Sequence, residues 1–276
     1  MIPLKAWAKI NLGLKILDKR EDGFHNIETT LTTINLSDYL IIEKMGNEIT
    51  VESKGLDCSV QNNLCYRAAD LFKRKYNIND GVRIKLVKNI PVGAGLGGGS
   101  SDAACVLKGM RTIFDMKISD EELMKLSREI GADVPFFIKG GAAYARGVGD
   151  ELKFFKLPRM SLIIYYPGYS ISTKWAYEEY DKSILTQKPA MDNIVEEKSK
   201  KKRKGFELAN DFEKLVFEKH PDLLDVKVGL LGCGSFVVSL SGSGSCLFTL
   251  CDENIKKKVI KYLEGIGAQY FEVVTI

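Results

Sequence analysis

The stretch Pro91-Val92-Gly93-Ala94-Gly95-Leu96-Gly97-Gly98-Gly99-Ser100-Ser101-Asp102-Ala103-Ala104 decides how this chain is read. It joins a β-prone run, Val82 to Val87, to a helix-compatible run, Ala103 to Met110. Five glycines in the seven residues from Gly93 to Gly99 leave backbone N–H groups unscreened by side chains and permit turns at positive φ. Ser100 and Ser101 are placed to cap the helix that follows, whose N-terminus carries roughly half a positive charge. A loop of this kind suits the oxygens of a phosphate.

Spacing alone leaves more than one reading. A P-loop closes on Gly-Lys-Ser/Thr, and no lysine lies between Lys88 and Lys108, so that reading fails. Gly93, Gly95 and Gly98 do satisfy the dinucleotide-binding spacing G-x-G-x-x-G. Against it, Pro91 opens the loop and no clear βαβ unit ends in a ribose-binding acid. A glycine-rich turn that serves packing alone is the third reading.

The rest of the composition is that of an ordinary globular protein. With 276 residues, 45% hydrophobic and 28% charged, the chain can form one large domain or two smaller ones. Its 40 basic and 36 acidic residues leave a net charge of +4, which gives no argument for a nucleic-acid partner. Six cysteines (Cys58, Cys65, Cys105, Cys233, Cys246 and Cys251) lack C-x-x-C spacing, and only two histidines are available to join them. This argues against a zinc site and for buried thiols in a reducing compartment. Lys5 and Lys9 interrupt the N-terminus, and no apolar run has membrane length, so a cytoplasmic location and no membrane partner are expected.

Periodicity places the other elements. Ala6 to Leu17 alternates, with Ala8, Ile10, Leu12 and Leu14 on one face and Trp7, Lys9, Asn11 and Gly13 on the other. An Asp22-Gly23 turn follows, then strands at Ile27–Leu36, Tyr39–Glu43 and Ile49–Glu52. Helical spacing covers Asn63–Tyr76, Ala103–Ile113 and Ser119–Ile130, the last opening on a Ser119/Glu122 capping box. The pattern restarts near Leu157-Pro158, with strands at Leu162–Tyr166, Phe236–Leu240, Cys246–Leu250 and Tyr270–Thr275 and helices at Phe206–Glu218 and Glu253–Leu263. Strands and helices mix without a regular βα repeat, which predicts an α+β fold. The basic run Lys198 to Lys204, beside Glu196 and Glu197, reads as solvated surface.

Three further segments carry chemistry. Lys9 and Asn11 project to the same side of one strand, as an exposed polar face or as part of a site. In Gly131-Ala132-Asp133-Val134-Pro135-Phe136-Phe137 one carboxylate stands among apolar neighbours. Pro135 restricts Val134 to extended geometry, which holds Asp133 at a rigid bend or makes it a helix N-cap. Ser241-Gly242-Ser243-Gly244-Ser245 is either a plain hairpin loop or a second ligand-binding loop.

Pro91-x-x-x-Gly95-Leu96-Gly97 followed by Ser100-Ser101 is similar to the signature of the GHMP small-molecule kinases. Ala8-Lys9-Ile10-Asn11-Leu12, Asp22-Gly23-Phe24-His25, the glycine loop, Gly131 to Phe137 and Ser241-Gly242-Ser243-Gly244 appear in that order, with Asn210-Asp211 between the last two. Together they resemble the branch of these kinases that acts on a cytidyl-diphosphate-linked methylerythritol in the non-mevalonate isoprenoid route, from about Lys5 to Phe248.

The resemblance implies a two-domain α+β fold, with a ribosomal-S5-domain-2-like half at 1–156 and a ferredoxin-like half at 157–276. It implies transfer of the ATP γ-phosphoryl group to the 2-hydroxyl of the substrate, with Mg2+ as cofactor and no protein metal ligand assigned. Asp133 would be the catalytic base and Lys9 its neighbour. ATP phosphates would lie on Pro91, Gly93, Gly95, Leu96, Gly97, Gly98, Gly99, Ser100 and Ser101, with Ser101 a candidate magnesium contact. Asn11 would hold the methylerythritol part. The cytosine would stack between Phe24 and Tyr177 and pair with the backbone of His25, with Gly242 and Ser243 also at the substrate. Many family members carry Tyr at the position of Phe24, so the stack is kept and a hydroxyl contact is not. The expected partners are therefore small molecules, not nucleic acid. Another GHMP kinase, acting on mevalonate, homoserine or a sugar, is the nearest alternative, and an S5-like RNA-binding protein a more distant one.

Elementary acid–base chemistry limits the role of a carboxylate base. An alcohol has a pKa of ~15.7 and an ordinary aspartate ~3.9, so complete proton transfer before reaction costs about 16 kcal/mol. That equals the whole barrier for a turnover of about 10 per second. The proton must therefore leave late, as oxygen bonds to phosphorus, which suits a loose transition state.

Overall fold

The computed structural model describes residues 1–54, 62–186 and 208–276. Cys58 and the basic run Lys198 to Lys204 lie outside the described residues. The N-terminal half runs β1 (Ile2–Lys19), β2 (His25–Lys44), β3 (Ile49–Lys54), α1 (Leu64–Tyr76), β4 (Val82–Val87), α2 (Gly98–Ile113), α3 (Asp120–Ser127), α4 (Val134–Lys139), β5 (Ala142–Arg146) and β6 (Glu151–Phe155).

β1 and β2 form one long antiparallel hairpin about the Asp22-Gly23 turn, where Gly23 takes φ +86° and Asp22 Oδ1 accepts from the Phe24 N–H. The two strands expected at Ile27–Leu36 and Tyr39–Glu43 are a single strand of 20 residues. Its free edge is divided, because Tyr39–Lys44 pairs with β4 and Thr29–Thr32 pairs with β5. β4 and β5 thus both pair with β2, so no βαβ unit follows the glycine loop and the dinucleotide reading falls. α1 to α4 pack on this sheet through a core that includes Leu31, Ile42, Phe72, Ile84, Leu107 and Phe136.

Helix boundaries bring two corrections. α2 begins at Gly98, with Gly97 as its N-cap at φ +67°, so Ser100 and Ser101 lie inside the first turn and do not cap it. α4 begins at Val134, with Pro135 in its first turn, where a missing N–H costs no helical hydrogen bond. Val134 is therefore helical, not extended, and Asp133 precedes the helix without a side-chain capping bond.

The second half runs β7 (Ser161–Tyr166), α5 (Thr173–Thr186), α6 (Glu213–Lys219), α7 (Pro221–Gly232), β8 (Val238–Leu240), β9 (Leu247–Leu250), α8 (Glu253–Gly265) and β10 (Gln269–Val274). Its strand order is β10-β7-β9-β8, with every pairing antiparallel. A β-α-β-β-α-β course with that order is the ferredoxin-like arrangement. Residues 206 and 207 of the helix expected at Phe206–Glu218 lie outside the described residues; among those described the helix starts at Glu213, because Asn210 and Asp211 are drawn into contact with β1. The two sheets share a core in which Ile10, Ile34, Leu96, Ile164, Phe248 and Val273 meet. Among the described residues no helix is long and apolar enough to cross a membrane.

Candidate active site

A cavity of ≈ 1020 Å³ opens where the glycine loop, the β1–β2 hairpin, the start of α4 and the start of α5 converge. The glycine loop is tied to β1 by two bonds: Lys9 N–H donates to Leu96 O at 3.0 Å, and Ser101 Oγ donates to Trp7 O at 2.7 Å. Gly97 is obliged to be glycine, since a Cβ there would stand 2.8 Å from Phe137 Cζ and 3.0 Å from Lys9 Cγ. The first turn of α2 carries no acidic residue before Asp102, so the positive end of a 16-residue helix faces the cavity through Gly98, Gly99 and Ser100.

The second loop docks on the first. Ser241 Oγ donates to Gly95 O at 2.9 Å, and a Cβ on Gly95, at φ +77°, would lie 1.9 Å from Ser241 O. Asn210 holds this loop by donating from Nδ2 to Leu240 O and Gly242 O, while Asp211 Oδ2 accepts from the Ile16 N–H on β1. Gly242 and Ser243 line the cavity, and Ser243 Oγ lies 2.9 Å from Thr173 Oγ1 at the start of α5.

β1 delivers the polar pair. Lys9 and Asn11 are both buried, so the alternating strand is covered on both faces and theirs is not an exposed polar face. Lys9 Nζ donates to Asn11 Oδ1 at 2.6 Å, and Asn11 Nδ2 donates to Thr29 Oγ1 at 2.9 Å, which in turn donates to Gly13 O. Asp133 Oδ2 stands 3.8 Å from Lys9 Nζ. Burial pushes the Lys9 ammonium below its ordinary pKa, and the charge of Asp133 opposes that shift. The arrangement presents a carboxylate acceptor and a buried cation side by side, next to the helix N-terminus.

A second charged cluster lies under the glycine loop. Lys88 Nζ donates to Asp38 and, at 2.7 Å, to Asp102 Oδ2, while Asp38 Oδ1 accepts from the backbone N–H groups of Asn89 and Ile90. Asp102 Oδ1 is buried without a hydrogen-bond partner. This cluster fixes the approach to Pro91. Sequence reasoning missed it because Asp38, Lys88 and Asp102 are far apart in the chain.

Aromatic residues stand at the far end of the cavity. Phe24 is 64% exposed at the hairpin tip. Tyr177 is stacked on the His25 ring, with centroids 4.8 Å apart and planes 16° apart, and meets Phe212 edge-on. All three of Phe24, His25 and Tyr177 line the cavity.

The fold and this cleft define a small-molecule kinase of the GHMP class. Residues 63–141 match the GHMP kinases N terminal domain and residues 190–268 the GHMP kinases C terminal domain. The 4-diphosphocytidyl-2-C-methyl-D-erythritol kinase of Clostridium beijerinckii is 39% identical over 262 residues, covering 93% of each chain. The crystal structure of a 4-(cytidine 5'-diphospho)-2C-methyl-D-erythritol kinase is similar at a TM-score of 0.80 and 32% identity, covering 99% of both chains. The mevalonate kinase of Methanococcus jannaschii shares the fold at a TM-score of 0.65, with 17% identity and coverage of 100% of this chain and 98% of that one. The chain belongs to the GHMP kinases, and within them to the 4-diphosphocytidyl-2-C-methyl-D-erythritol kinase family.

Proposed function

We propose that the chain transfers the γ-phosphoryl group of ATP to the 2-hydroxyl of 4-diphosphocytidyl-2-C-methyl-D-erythritol, a step of isoprenoid precursor synthesis. The observation that carries this reading is the Lys9–Asp133 pair, 3.8 Å apart, in the cavity that also holds the glycine loop and the Phe24–His25–Tyr177 cluster. ATP phosphates would lie on the backbone of Pro91 to Ser101, at the positive end of α2. The halves 1–156 and 157–276 would act as the N- and C-terminal GHMP domains, a division supported by the end of β6 at Phe155 and the start of β7 at Ser161. The five described cysteines are free, which supports the reducing, cytoplasmic setting expected.

Each residue has a role that its surroundings support. Asp133 orients the substrate hydroxyl and accepts its proton late in the transfer. Lys9 offsets charge on the transferring phosphoryl group and, through Asn11, is held in place. Asn11 and Gly242 border the methylerythritol part. The base lies between Phe24 and Tyr177, beside the His25 imidazole. Magnesium would arrive as MgATP, carried by the phosphates. Among the described residues no group of three or more His, Cys, Asp or Glu side chains is suited to a metal, and Ser101, the candidate contact, donates its hydroxyl hydrogen to Trp7 O, which leaves its lone pairs free.

ADP release with the cytidyl substrate, run beside mevalonate, homoserine and galactose, tests the proposal. Turnover confined to the cytidyl substrate is expected, and equal or greater turnover on any of the other three contradicts it.

A further inference from the structure

The end of the β1–β2 hairpin is pinned to α5 by one carboxylate. His25 Nε2 lies 2.7 Å from Asp181 Oδ1, and Lys19 Nζ donates to Asp181 Oδ2 at 2.6 Å. Asp181 is four residues beyond Tyr177, so α5 presents on one face both the group that bonds the imidazole and the ring on which it stacks. Resting on the cytidyl reading above, we propose that Asp181 is a positioning residue that makes the pocket select a 4-aminopyrimidine, by fixing the tautomer of His25.

Burial acts to raise the Asp181 carboxyl, but the hydrogen bonds from Lys19 and His25 outweigh it and hold Asp181 below the usual carboxylate range. An ionised carboxylate can only accept, so Nε2 carries the hydrogen, and in the neutral ring Nδ1 keeps its lone pair. Nδ1 has no hydrogen-bond partner among the described residues, and His25 lines the cavity. The imidazole lies within 16° of the Tyr177 plane. A base laid on Tyr177 beside it therefore shares nearly the same plane and meets Nδ1 edge to edge. A 4-amino group donates to that lone pair, whereas a 4-oxo group sets two acceptors against each other. Without Asp181 the ring can present Nδ1–H instead, and the discrimination is lost.

Two measurements on the full chain test this. In protein labelled with 15N-histidine, the nitrogen shifts report the tautomer of His25, with His220 as the second signal. The wild type should show His25 as Nε2–H, and Asp181→Ala a mixture. Steady-state kinetics then compare the cytidyl substrate with its uridyl counterpart in the wild type, Asp181→Ala and Asp181→Asn. Each variant should raise KM for the cytidyl substrate about tenfold and lower the cytidyl-over-uridyl ratio of kcat/KM by a similar factor. KM for ATP and kcat should move by less than about twofold, as expected when one ground-state contact is lost. An Nδ1–H tautomer in the wild type overturns the inference, as do variants that weaken both substrates equally. Cytidyl turnover with unchanged preference in the variants overturns this inference alone. A wild type inactive on both substrates overturns the proposed function along with it.

Discussion

Lys9 Nζ and Asp133 Oδ2 are 3.8 Å apart, yet the lysine side chain is 6% exposed and the aspartate 39%. The cation is withdrawn into the seam between β1 and the glycine loop, and the carboxylate remains open to a substrate. A bare ammonium in that seam would be costly, and Asn11 and Asp133 together offset the cost. The pair is therefore organised before substrate arrives, as electrostatic stabilisation of a transferring phosphoryl group requires.

Removing the cation tests this organisation. Lys9→Ala should lower kcat by about 10²–10³-fold, with affinities for both ligands retained by calorimetric titration. In the wild type, burial lowers the Lys9 pKa, so activity should decline on the alkaline side at a lower pH than an ordinary lysine would give. A pH profile of kcat reads this limb directly.

The contact between the two loops makes Gly95 a sensitive position. Gly95→Ala places a methyl 1.9 Å from Ser241 O at a φ of +77°. Gly141 has the same φ of +77° with nothing within 4 Å of a Cβ, so Gly141→Ala isolates the backbone strain alone. That strain costs about 1–3 kcal/mol. Gly95→Ala should lose more in thermal melting than Gly141→Ala and should also raise KM for ATP. Equal melting losses would show that the docking of one loop on the other adds nothing.

Stacking on Phe24 should be specific to one substrate. The loss of one base–aromatic stack is worth ~1–3 kcal/mol, or roughly 5- to 150-fold in affinity. Phe24→Ala should therefore raise KM for the cytidyl substrate by that order and leave KM for ATP near the wild-type value. Equal rises for both substrates would count against a base beside Phe24.

Asp102 links stability to pH. Burial pushes its carboxyl up to about 7, against the pull of Lys88. A carboxyl raised in the folded state retains a proton that the unfolded chain has released, so stability present at low pH is lost as pH rises from about 4 to about 7. Asp102→Asn removes this titration and leaves Lys88 opposite Asp38 alone. Its melting temperature should exceed that of the wild type by about 3 °C or more at pH 8, and the gap should close near pH 4.5. A gap independent of pH would sink this account of the cluster.

Motifs that are contiguous in the chain were the legible part of the site. The glycine loop from Pro91 to Ser100, Lys9 with Asn11, the Phe24-His25 turn and Asp133 carry local signals, and all of them line the same cavity, which Ser101 does not. What escaped was assembled across distance: the Lys88–Asp38–Asp102 cluster, the hold of Asp181 on His25, and the contact by which Asn210, itself a motif residue, clamps the second loop. Helix signals failed where backbone did the work of a side chain, as at Gly97, or where a proline sat in the first turn, as at Pro135. α5 and α7 went unseen. α7 leaves Leu224, Val228 and Leu231 exposed, so its apolar residues do not form the single stripe that marks an amphipathic helix.

In the proposed reaction, phosphoryl transfer occurs at the Lys9–Asp133 pair. Single-turnover kinetics of Asp133→Asn with ATP and the cytidyl substrate, alongside equilibrium binding of each, test it most directly. The transfer rate should fall by about 10²–10⁴-fold, with both ligands still bound at wild-type affinity. A transfer rate near that of the wild type would contradict it.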